Sequence, residues 1–478
     1  MTTRLPFLAP VLLCLAVALV ALAAPRAATA DVPPGAPNPP DDSVLGTVEV
    51  NGSAGGLPPL PKMAVVPILL TAQADSIVNL VTRHDMVLSG QFDVLDESAA
   101  PQGPFTHTSP LDLAGFRQKG AEYVVRVFAQ AAPTDSTKTE LVGEAYVTPT
   151  AAQAAAQKAH AAAGAAADVL VAPPVPVAKP AFRGVVPTAT TEVRAASHRL
   201  VDLLLGALTG RPGGFASEMT YAQKVGHWHR IFRLDSDGFD LRGVGPSNAT
   251  AISPAFGPGG NVFYALSTDY SPFRVAYGDK GTPVPMDLPG SVMGLAFSAD
   301  RTRMAVTTMD GGQSRLWMGD DGRLALTPTA PFANHPVFGP LGKVAYVAGS
   351  PVQRVYVDGK PISPPGFMAS APVFCDTPQG LLLVFTVGVG TGADIIETDT
   401  SGGGLRRLTQ HEGANTYAAC SPDGRLISFF STGKRGQGAG LFVMPIQRPW
   451  LAKKISSEVG DALRWEPIVT ATAPARAK

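Results

Sequence analysis

The 478-residue sequence has little cysteine, with three residues, and no net formal charge at pH 7. After its first thirty residues it also lacks any apolar run of the length that crosses a bilayer. The zero charge gives no electrostatic reason to expect nucleic acid as a partner, and the absence of a long apolar run predicts that the chain is not an integral membrane protein. Glycine and proline are abundant, at 50 and 45 residues, which favours many turns and short strands over long helices.

The first thirty residues differ from the rest of the chain. Arg4 supplies a basic start, and the apolar run from Pro10 to Ala24 is too short for a spanning helix. Ala28-Thr29-Ala30 then fits the A-x-A pattern of small residues at a signal-peptide cleavage site. Residues 1–30 are therefore predicted to be a secretory signal peptide that directs export to the periplasm, with an uncleaved anchor as the alternative. Residues 31–62 follow as a Pro-rich flexible segment with one short predicted strand.

Removal of the signal peptide leaves two cysteines, Cys375 and Cys420, which could form a single disulfide. A fold that depended on disulfides would carry more cysteines. The sequence therefore favours two buried thiols, and it leaves their pairing open.

A repeated hairpin organises the C-terminal half of the chain. Each copy has apolar residues leading to an aromatic position, then a turn rich in Ser, Gly, Pro or Asp, then a second apolar strand. The aromatic position is held by Phe256, Phe297, Phe338, Phe374, Cys420 and Trp465. Their spacing of 36 to 46 residues is the length of a four-stranded propeller blade.

Six further segments alternate apolar and polar residues as half-buried third strands do. The first of them precedes every hairpin, and no third strand follows the last hairpin at Trp465. A ring closes if this C-terminal strand joins the blade that begins near Ser217, and closure leaves no open sheet edge. The sequence predicts a mainly β fold with a six-bladed β-propeller at residues 216–470, followed by a tail at 471–478.

The region before the propeller alternates strands and helices. An amphipathic helix is predicted after "MAVVPI", with Leu80 and Val81 on its apolar face, and a later helix runs from Glu192 to Leu208. Residues 63–212 are therefore predicted to form an α/β domain. Residues 151–190 are rich in Ala and Pro and are predicted to be a low-complexity insertion without a core of its own.

Motifs for chemistry are weak in this sequence. No G-x-S-x-G occurs, and Gly388–Ala393 fits a dinucleotide fingerprint only superficially, because a strand follows it where a helix is needed. His227 and His229 are predicted on one face of a strand without a third ligand nearby. Asp235–Asp240 resembles a calcium loop, but its glycine is fourth rather than sixth, which favours a β-turn. The chain is predicted not to be an enzyme and to hold no cofactor, although a divalent cation in the propeller channel stays open.

Three stretches resemble the TolB family. They are "MAVVPI" with the later "SGQFDVLD", the helix "ASHRLVDLLLGALTGRPGGFASEMTYA", and "RLDSDGFD" followed by the SPDG-type hairpins. They occur in the family's order and span nearly all of the chain after the signal peptide. The Ala/Pro insertion and the loss of the SPDG turn from two hairpins mark a divergent member.

The resemblance implies a non-enzymatic periplasmic adaptor of the Tol-Pal system. Such proteins bind the peptidoglycan-associated lipoprotein Pal through the propeller and TolA through a mobile N-terminal segment. The system maintains outer-membrane integrity, supports cell division and is exploited for bacteriocin import. A monomer is expected. The place of the TolA-binding segment is taken here by a stretch interpreted as a strand that switches between docked and free states, with an ordinary edge strand as the alternative: Val44, Leu45, Val48, Glu49 and Val50.

Position alone nominates residues for the Pal surface. Residues just before each first strand are expected at one mouth of the channel, which nominates Ser291, Asn334, His335, Ser370, Asn415, Thr416 and Asp461. His335 is the first choice because it precedes Pro336-Val337-Phe338 at that mouth. Two other functions stay open: a propeller that binds cell-wall polysaccharide, and a propeller enzyme of the lactonase or quinoprotein type, which needs convergent carboxylates or a cofactor at the channel.

Overall fold

The structure is a computed structural model that describes residues 42–46, 56–69, 72–101, 105–133, 135–150, 152–153, 178–320, 323–410, 412–433 and 436–467. The predicted signal peptide, Val48, Glu49, Val50, most of the predicted insertion and the C-terminal tail lie outside the described residues.

The first domain is built on a five-stranded sheet with the strand order β2-β1-β3-β4-β5. The strands are β1 Lys62–Val65, β2 Asp93–Val94, β3 Tyr123–Ala132, β4 Asp135–Val147 and β5 Phe182–Thr188. β1 pairs parallel with β2 and β3, whereas β3, β4 and β5 pair antiparallel. This mixed sheet confirms the predicted α/β class of the domain.

Helices cover both faces of this sheet. They are α1 Gln73–Leu88, α2 Leu113–Gln118 and α3 Val193–Thr209, with short 3-10 helices at Asp42–Leu45, Glu97–Ala99, Thr190–Glu192, Pro258–Gly260, Pro340–Gly342 and Pro449–Leu451. Met86 of α1 and Leu200 of α3 share one core, and Phe116 of α2 belongs to the core on the other side. None of the described helices has the length and apolar character needed to cross a membrane.

The predicted apolar face of α1 is partly wrong. Leu80 is 70% exposed, whereas the carboxylate of Asp85 is fully buried. The reason is that α1 directs Asp85 toward α3, where this carboxylate meets His198. Apolar periodicity cannot show a buried polar pair of this kind.

β5 corrects the boundary of the predicted insertion, because residues 182–188 are part of the sheet. β5 pairs antiparallel with β4, and alternate residues are buried along it, with Val186 in the core under α3. Gly184 and Val186 are buried between the exposed residues Arg183, Val185 and Pro187, and because two of these are apolar the Pro- and Val-rich composition hides the alternation.

Six four-stranded antiparallel sheets form the second domain in the described part of the chain, which confirms the predicted six-bladed propeller. Blade 1 contains β9 Thr250–Phe256, β10 Val262–Ser267, β11 Arg274–Tyr277 and β12 Thr282–Pro283. Blade 2 contains β13 Ser291–Phe297, β14 Arg303–Asp310, β15 Gln313–Asp320 and β16 Arg323–Thr327. Blade 3 contains β17 Asn334–Phe338, β18 Val344–Ala348, β19 Arg354–Val357 and β20 Lys360–Pro361.

Blade 4 contains β21 Ala369–Thr377, β22 Gly380–Val389, β23 Gly392–Asp399 and β24 Arg406–Arg407. Blade 5 contains β25 Asn415–Cys420, β26 Leu426–Ser431, β27 Gly440–Pro445 and β28 Lys453–Ser456. Blade 6 contains β29 Asp461–Trp465, β6 Glu218–Val225, β7 Trp228–Asp235 and β8 Arg242–Val244. The innermost strands β9, β13, β17, β21, β25 and β29 contact one another in ring order and line the central channel.

The ring closes as the order of the repeats predicts. The last strand, β29, pairs antiparallel with β6, with Trp465 opposite Met219 and Arg464 opposite Thr220. The C-terminal strand is thus the innermost strand of the blade that contains the first propeller strands. Closure leaves no unpaired edge between the two ends of the propeller.

Each innermost strand carries a β-bulge. The register shifts between Val292 and Gly294 in β13 and at the corresponding place in the other five strands. In five of the six strands a residue near the bulge adopts a positive φ: Ser253, His335, Ala371, Tyr417 and Ala462. A bulge re-aims the side chains of a strand, so these positions determine what the channel wall presents near its mouth.

Cys375 and Cys420 form a disulfide with their Cα atoms 5.5 Å apart, so the favoured prediction of two free thiols is wrong. Cys375 follows Phe374 on β21, and Cys420 ends β25 at the place where the other hairpins carry an aromatic ring. The bond therefore joins the innermost strands of blades 4 and 5. Blades 4 and 5 are thus linked covalently at a position where the other copies have an aromatic residue.

The junction between α3 and the propeller is a tight turn. α3 ends at Gly210, whose φ of 79° is accessible to glycine at little cost. The Asp202 carboxylate accepts hydrogen bonds from the backbone N–H groups of Phe215 and Ala216, both at 2.8 Å. A Cβ atom on Gly213 would lie 2.3 Å from Oδ1 of Asp202, so this turn requires glycine there. Burial raises the pKa of Asp202 to about 7, although the two N–H groups oppose the shift.

Candidate functional site

The innermost strands begin at one mouth of the channel, which we call the outer mouth. The other mouth faces the α/β domain, because Arg425, just after the β25–β26 turn, donates to Oγ1 of Thr209 at 2.7 Å. Arg211 likewise donates to the carbonyl of Asp376 at the end of β21. The outer mouth is therefore the channel opening that the α/β domain leaves uncovered.

The nominated residues do lie at the outer mouth, but they differ in accessibility. Partly exposed are Ser291, Asn334, His335, Ser370, Thr416 and Asp461. Asn415 is fully buried, and its amide lies 3.5 Å from Oδ1 of Asp394. Asn415 therefore supports the blade and does not present a surface to a partner, and whether the other residues contact a partner stays a prediction.

Three side chains from different blades lie near one another in the channel: His335 of β17, Tyr417 of β25 and Arg464 of β29. The ring centroids of His335 and Tyr417 are 6.3 Å apart with an edge-to-face orientation. Burial lowers the pKa of His335 to about 4, and the charge of Arg464 lowers it further in the same direction. His335 is therefore neutral at neutral pH.

Arg464 carries the positive charge of this cluster. Burial lowers its pKa to about 10, partly offset by Tyr417, so the guanidinium stays charged at neutral pH. Its Nη1 donates to the carbonyl of Leu463 at 3.2 Å, and no carboxylate of the described residues forms an ion pair with it. This uncompensated cation disfavours a divalent cation at the same level of the channel.

The face around the outer mouth also exposes large apolar side chains. They lie in loops or at a strand end at this face: Val225, Tyr270, Phe332, Met368 and Val459. Tyr270 is 96% exposed and lines a groove of about 530 Å³ with Phe273 and Ser291. A second groove of about 510 Å³ is lined by Phe332 and Leu326. Apolar side chains and grooves around a polar channel are typical of a surface that binds a protein.

The described part of the N-terminal segment is docked on the propeller. Leu45 is fully buried in the core formed by blades 3 and 4, and Val44 beside it is exposed. The guanidinium of Arg407 lies 3.4 Å from the Asp42 carboxylate and also donates to the carbonyl of Gly46. Val44 and Leu45 belong to a 3-10 helix, so the predicted strand is wrong for these two residues, because Leu45 is buried as a single apolar anchor and not by alternation.

A buried charge cluster joins the α/β domain to blade 6. Nδ1 of His198 on α3 lies 2.7 Å from Oδ2 of Asp85 on α1, and its Nε2 faces Asp235 and Asp237 at 3.7 and 3.9 Å. Arg194 pairs with both Asp235 and Asp237. Burial alone would lower the pKa of His198, but the surrounding carboxylates raise it to about 10.

Asp85, His198 and Asp237 bring ligand atoms within 4.8 Å of one another, a spacing that a metal ion could use. Arg194 already contacts both loop carboxylates, and the protonated imidazole faces all three, so two cations of the chain itself occupy the place that a metal ion would take. Asp235 and Asp237, which resembled a calcium loop, are thus ion-pair partners across the domain interface.

The two remaining sequence motifs have structural roles. His227 lies in the turn between β6 and β7, and His229 pairs with Lys224 within the sheet, so the predicted placement of both imidazoles on one strand face is wrong. Gly388–Ala393 spans the turn between β22 and β23, as a hairpin loop requires.

Comparison with known proteins places these features in a family. Residues 48–142 match the TolB amino-terminal domain family. A curated Tol-Pal system protein TolB of Thiobacillus denitrificans is 29% identical over 210 residues, 41% of this chain and 39% of that protein. A second, of Methylococcus capsulatus, is 26% identical over 226 residues, 45% of this chain and 44% of that protein.

The crystal structure of TolB from Acinetobacter baumannii shares the whole architecture. It matches with a TM-score of 0.65 at 17% identity, over 86% of this chain and 97% of that chain. Together these matches support a member of the TolB family. The TolB amino-terminal match covers β1 to β3 and part of β4, and the structural likeness extends through the propeller. The chain spans about two fifths of the length of the curated TolB relatives it matches.

Sequence reasoning missed Tyr417, Arg464, Arg407 and the His198 cluster in this TolB-family chain. Tyr417 and Arg464 left a signal, because each stands at a hairpin position where most of the other copies have a small or apolar residue. Arg407 and Asp42 left none, since 365 residues separate the two partners. The same holds for Asp85 and His198, which are 113 residues apart.

Proposed function

We propose that this chain is a non-enzymatic adaptor of the Tol-Pal system that works as a monomer in the periplasm without a cofactor. It binds Pal at the outer mouth of the propeller and TolA through its N-terminal segment, and so maintains outer-membrane integrity and supports cell division. Bacteriocin import would use the same surfaces. Membership of the TolB family supports the proposal, since the curated relatives carry the description Tol-Pal system protein TolB.

The observation that carries the proposal is the exposed apolar rim around the outer mouth. Large apolar side chains in contact with water are costly to keep together unless a partner covers them, and aromatic residues contribute most to such interfaces. Tyr270 is the most exposed of the rim residues and borders the groove that also holds Ser291. The disulfide between Cys375 and Cys420 agrees with an oxidising compartment such as the periplasm.

Replacing Tyr270 by alanine is expected to weaken Pal binding by about 30-fold, the effect of losing an aromatic anchor of roughly 2 kcal/mol. Isothermal titration calorimetry with purified Pal measures the change. Leu341→Ala is the matched control. Leu341 is 97% exposed, its φ of 58° equals that of Tyr270, and it lies in the turn at the opposite mouth.

The control is expected to leave Pal affinity within a factor of two. Equal losses in both variants would point to an indirect effect on folding. Wild-type protein that fails to retain Pal at micromolar concentrations would overturn the proposed Pal role altogether.

The N-terminal segment supplies the second binding function in this proposal. Leu45 and the Asp42–Arg407 pair anchor its described part on the propeller, while Val44 is accessible to solvent. Deletion of residues 31–52 from the exported protein is expected to abolish TolA binding while Pal affinity stays unchanged, because the outer mouth loses no residue. Pull-down with each partner separately measures this, and a deletion variant that still retains TolA would contradict the role assigned to the segment.

A further inference from the structure

One position of the repeated hairpin has a different type of residue in the last copy. The residue immediately before the aromatic position is small or apolar in five blades and is arginine in the sixth: Ala255, Ala296, Val337, Val373, Ala419 and Arg464. In four of those five blades the side chain at this position packs in or against a hydrophobic core cluster, and in the remaining one Ala296 is buried. A charged guanidinium without a partner is costly to bury in an apolar core. Packing between blades therefore does not explain an arginine at position 464.

Arg464 acts electrostatically on channel side chains of two other blades. Arg464 belongs to blade 6, and its charge lowers the pKa of His335, which belongs to blade 3 on the far side of the ring. The same charge lowers the pKa of Tyr417 of blade 5, against the larger effect of burial. The centroid of the Tyr417 ring lies 6.3 Å from that of the His335 imidazole. Side chains from three blades therefore meet across the channel.

All three side chains present hydrogen-bond donors. Nδ1 of His335 accepts from the backbone N–H of Ala371 at 3.4 Å, which assigns the ring hydrogen of the neutral imidazole to Nε2. The Tyr417 phenol is protonated at neutral pH, since burial raises its pKa. Arg464 adds a charged guanidinium group, whose Nη1 donates one hydrogen bond to the backbone carbonyl of Leu463. The cluster thus combines hydrogen-bond donors with a positive charge that forms no ion pair in the described part of the chain.

An acidic group, Asp461, lies three residues before Arg464 on β29, and its charge raises the pKa of Tyr417. It forms no ion pair with Arg464 in the described part of the chain, and burial raises its pKa, which favours its neutral form. At the other mouth Arg301 is already paired with Glu466 at 2.8 Å. The uncompensated charge is therefore confined to the level of Arg464.

We propose that Arg464, His335 and Tyr417 form an anion site in the channel that accepts one carboxylate, supplied by an acidic side chain of the protein docked at the outer mouth. A carboxylate matches the planar fork of a guanidinium and accepts a further hydrogen bond from a phenol or imidazole. Its single negative charge neutralises the single positive charge of the cluster. The source of the carboxylate rests on the proposed function, whereas the site itself does not.

Titration of the full exported chain with sodium acetate, at constant ionic strength, tests the site, and acetamide is the uncharged probe of the same shape. The expected result is a saturable shift of the Arg464 Nε–Hε signal in NMR spectra with acetate and none with acetamide. Arg464→Gln is expected to weaken acetate binding tenfold or more, followed through backbone signals of β29. Tyr417→Phe, which removes one hydroxyl and keeps the ring, is expected to weaken it about threefold to tenfold.

Arg315→Gln is the matched control, because Arg315 also lies near the outer mouth, at the start of β15, but is already paired with Asp310 at 3.4 Å. It is expected to leave acetate binding unchanged. Equal responses to acetate and acetamide, or acetate binding that survives Arg464→Gln, would overturn the anion site. Circular dichroism of each variant shows whether the propeller is intact.

A competition experiment identifies the source of the carboxylate. Acetate at saturating concentration is expected to weaken binding of the proposed lipoprotein partner, and Arg464→Gln is expected to weaken it tenfold or more. If acetate binds through Arg464 and leaves partner affinity unchanged, the docked protein is not the source and a free small carboxylate is. If wild-type protein binds acetate but no lipoprotein, the proposed function fails and the anion site stands.

Discussion

Replacing Cys375 and Cys420 together by alanine is expected to lower the free energy of unfolding by about 3 to 4 kcal/mol. The disulfide closes a loop of 45 residues between the innermost strands of blades 4 and 5. Its removal returns the entropy of that loop to the unfolded chain and also removes the covalent link between these two blades. Equilibrium denaturation in guanidinium chloride measures the loss as a lower midpoint.

A reductant provides the internal control. It is expected to shift the wild-type midpoint to that of the double variant and to leave the double variant unchanged. If the reductant shifts both proteins equally, or if the double variant is as stable as wild type, then the disulfide does not hold the two blades together energetically.

Raising the pH from about 7 to about 9.5 is expected to lower the free energy of unfolding by about 3 kcal/mol through His198 alone. The imidazole has a pKa of about 10 in the folded protein and about 6.5 in the unfolded chain. The folded state therefore keeps a proton that the unfolded chain releases, and the stabilisation is complete below about 6.5 and disappears as the pH rises through 10. The carboxylates of Asp85, Asp235 and Asp237 are the cause, and Arg194 stays charged throughout.

His198→Gln is expected to be less stable than wild type at pH 7 and to lose most of this pH dependence, because a neutral amide cannot balance the carboxylates. His107→Gln is the matched control. His107 is an exposed imidazole of the same domain, stacked on Phe128, and its replacement is expected to keep the wild-type slope. A wild-type stability that stays constant between about pH 7 and 9.5 would contradict the protonated state assigned to His198.

The propeller could be predicted from the sequence because its information is local. Each hairpin carries its own turn residues and apolar alternation, and six copies at similar spacing reinforce one another, so even the closure of β29 onto β6 followed from the order of the segments. The same logic places Asp461 and His335 at the outer mouth without any tertiary information.

Features that depend on contacts between distant residues could not be predicted. The pairing of Cys375 with Cys420 depends on two blades being neighbours in the ring, and the sequence alone does not show which positions face each other. The charged cluster around His198 needs α1, α3 and the β7–β8 turn to meet. Leu45 illustrates a different limit, because one apolar residue in a Pro-rich stretch carries no periodic pattern.

The pairing of β29 with β6 also constrains when the protein can fold. Met219 and Trp465 lie opposite each other although 246 positions separate them, so the ring cannot close until almost the whole propeller sequence is available. A chain that is still being synthesised has β6 without its inner neighbour and blades 1 and 5 without the innermost strand of blade 6 between them. Contacts of such long sequence separation form slowly, and the incomplete ring exposes strand edges that favour aggregation. The chain is therefore expected to be most prone to aggregation before the strand that contains Trp465 has paired with β6.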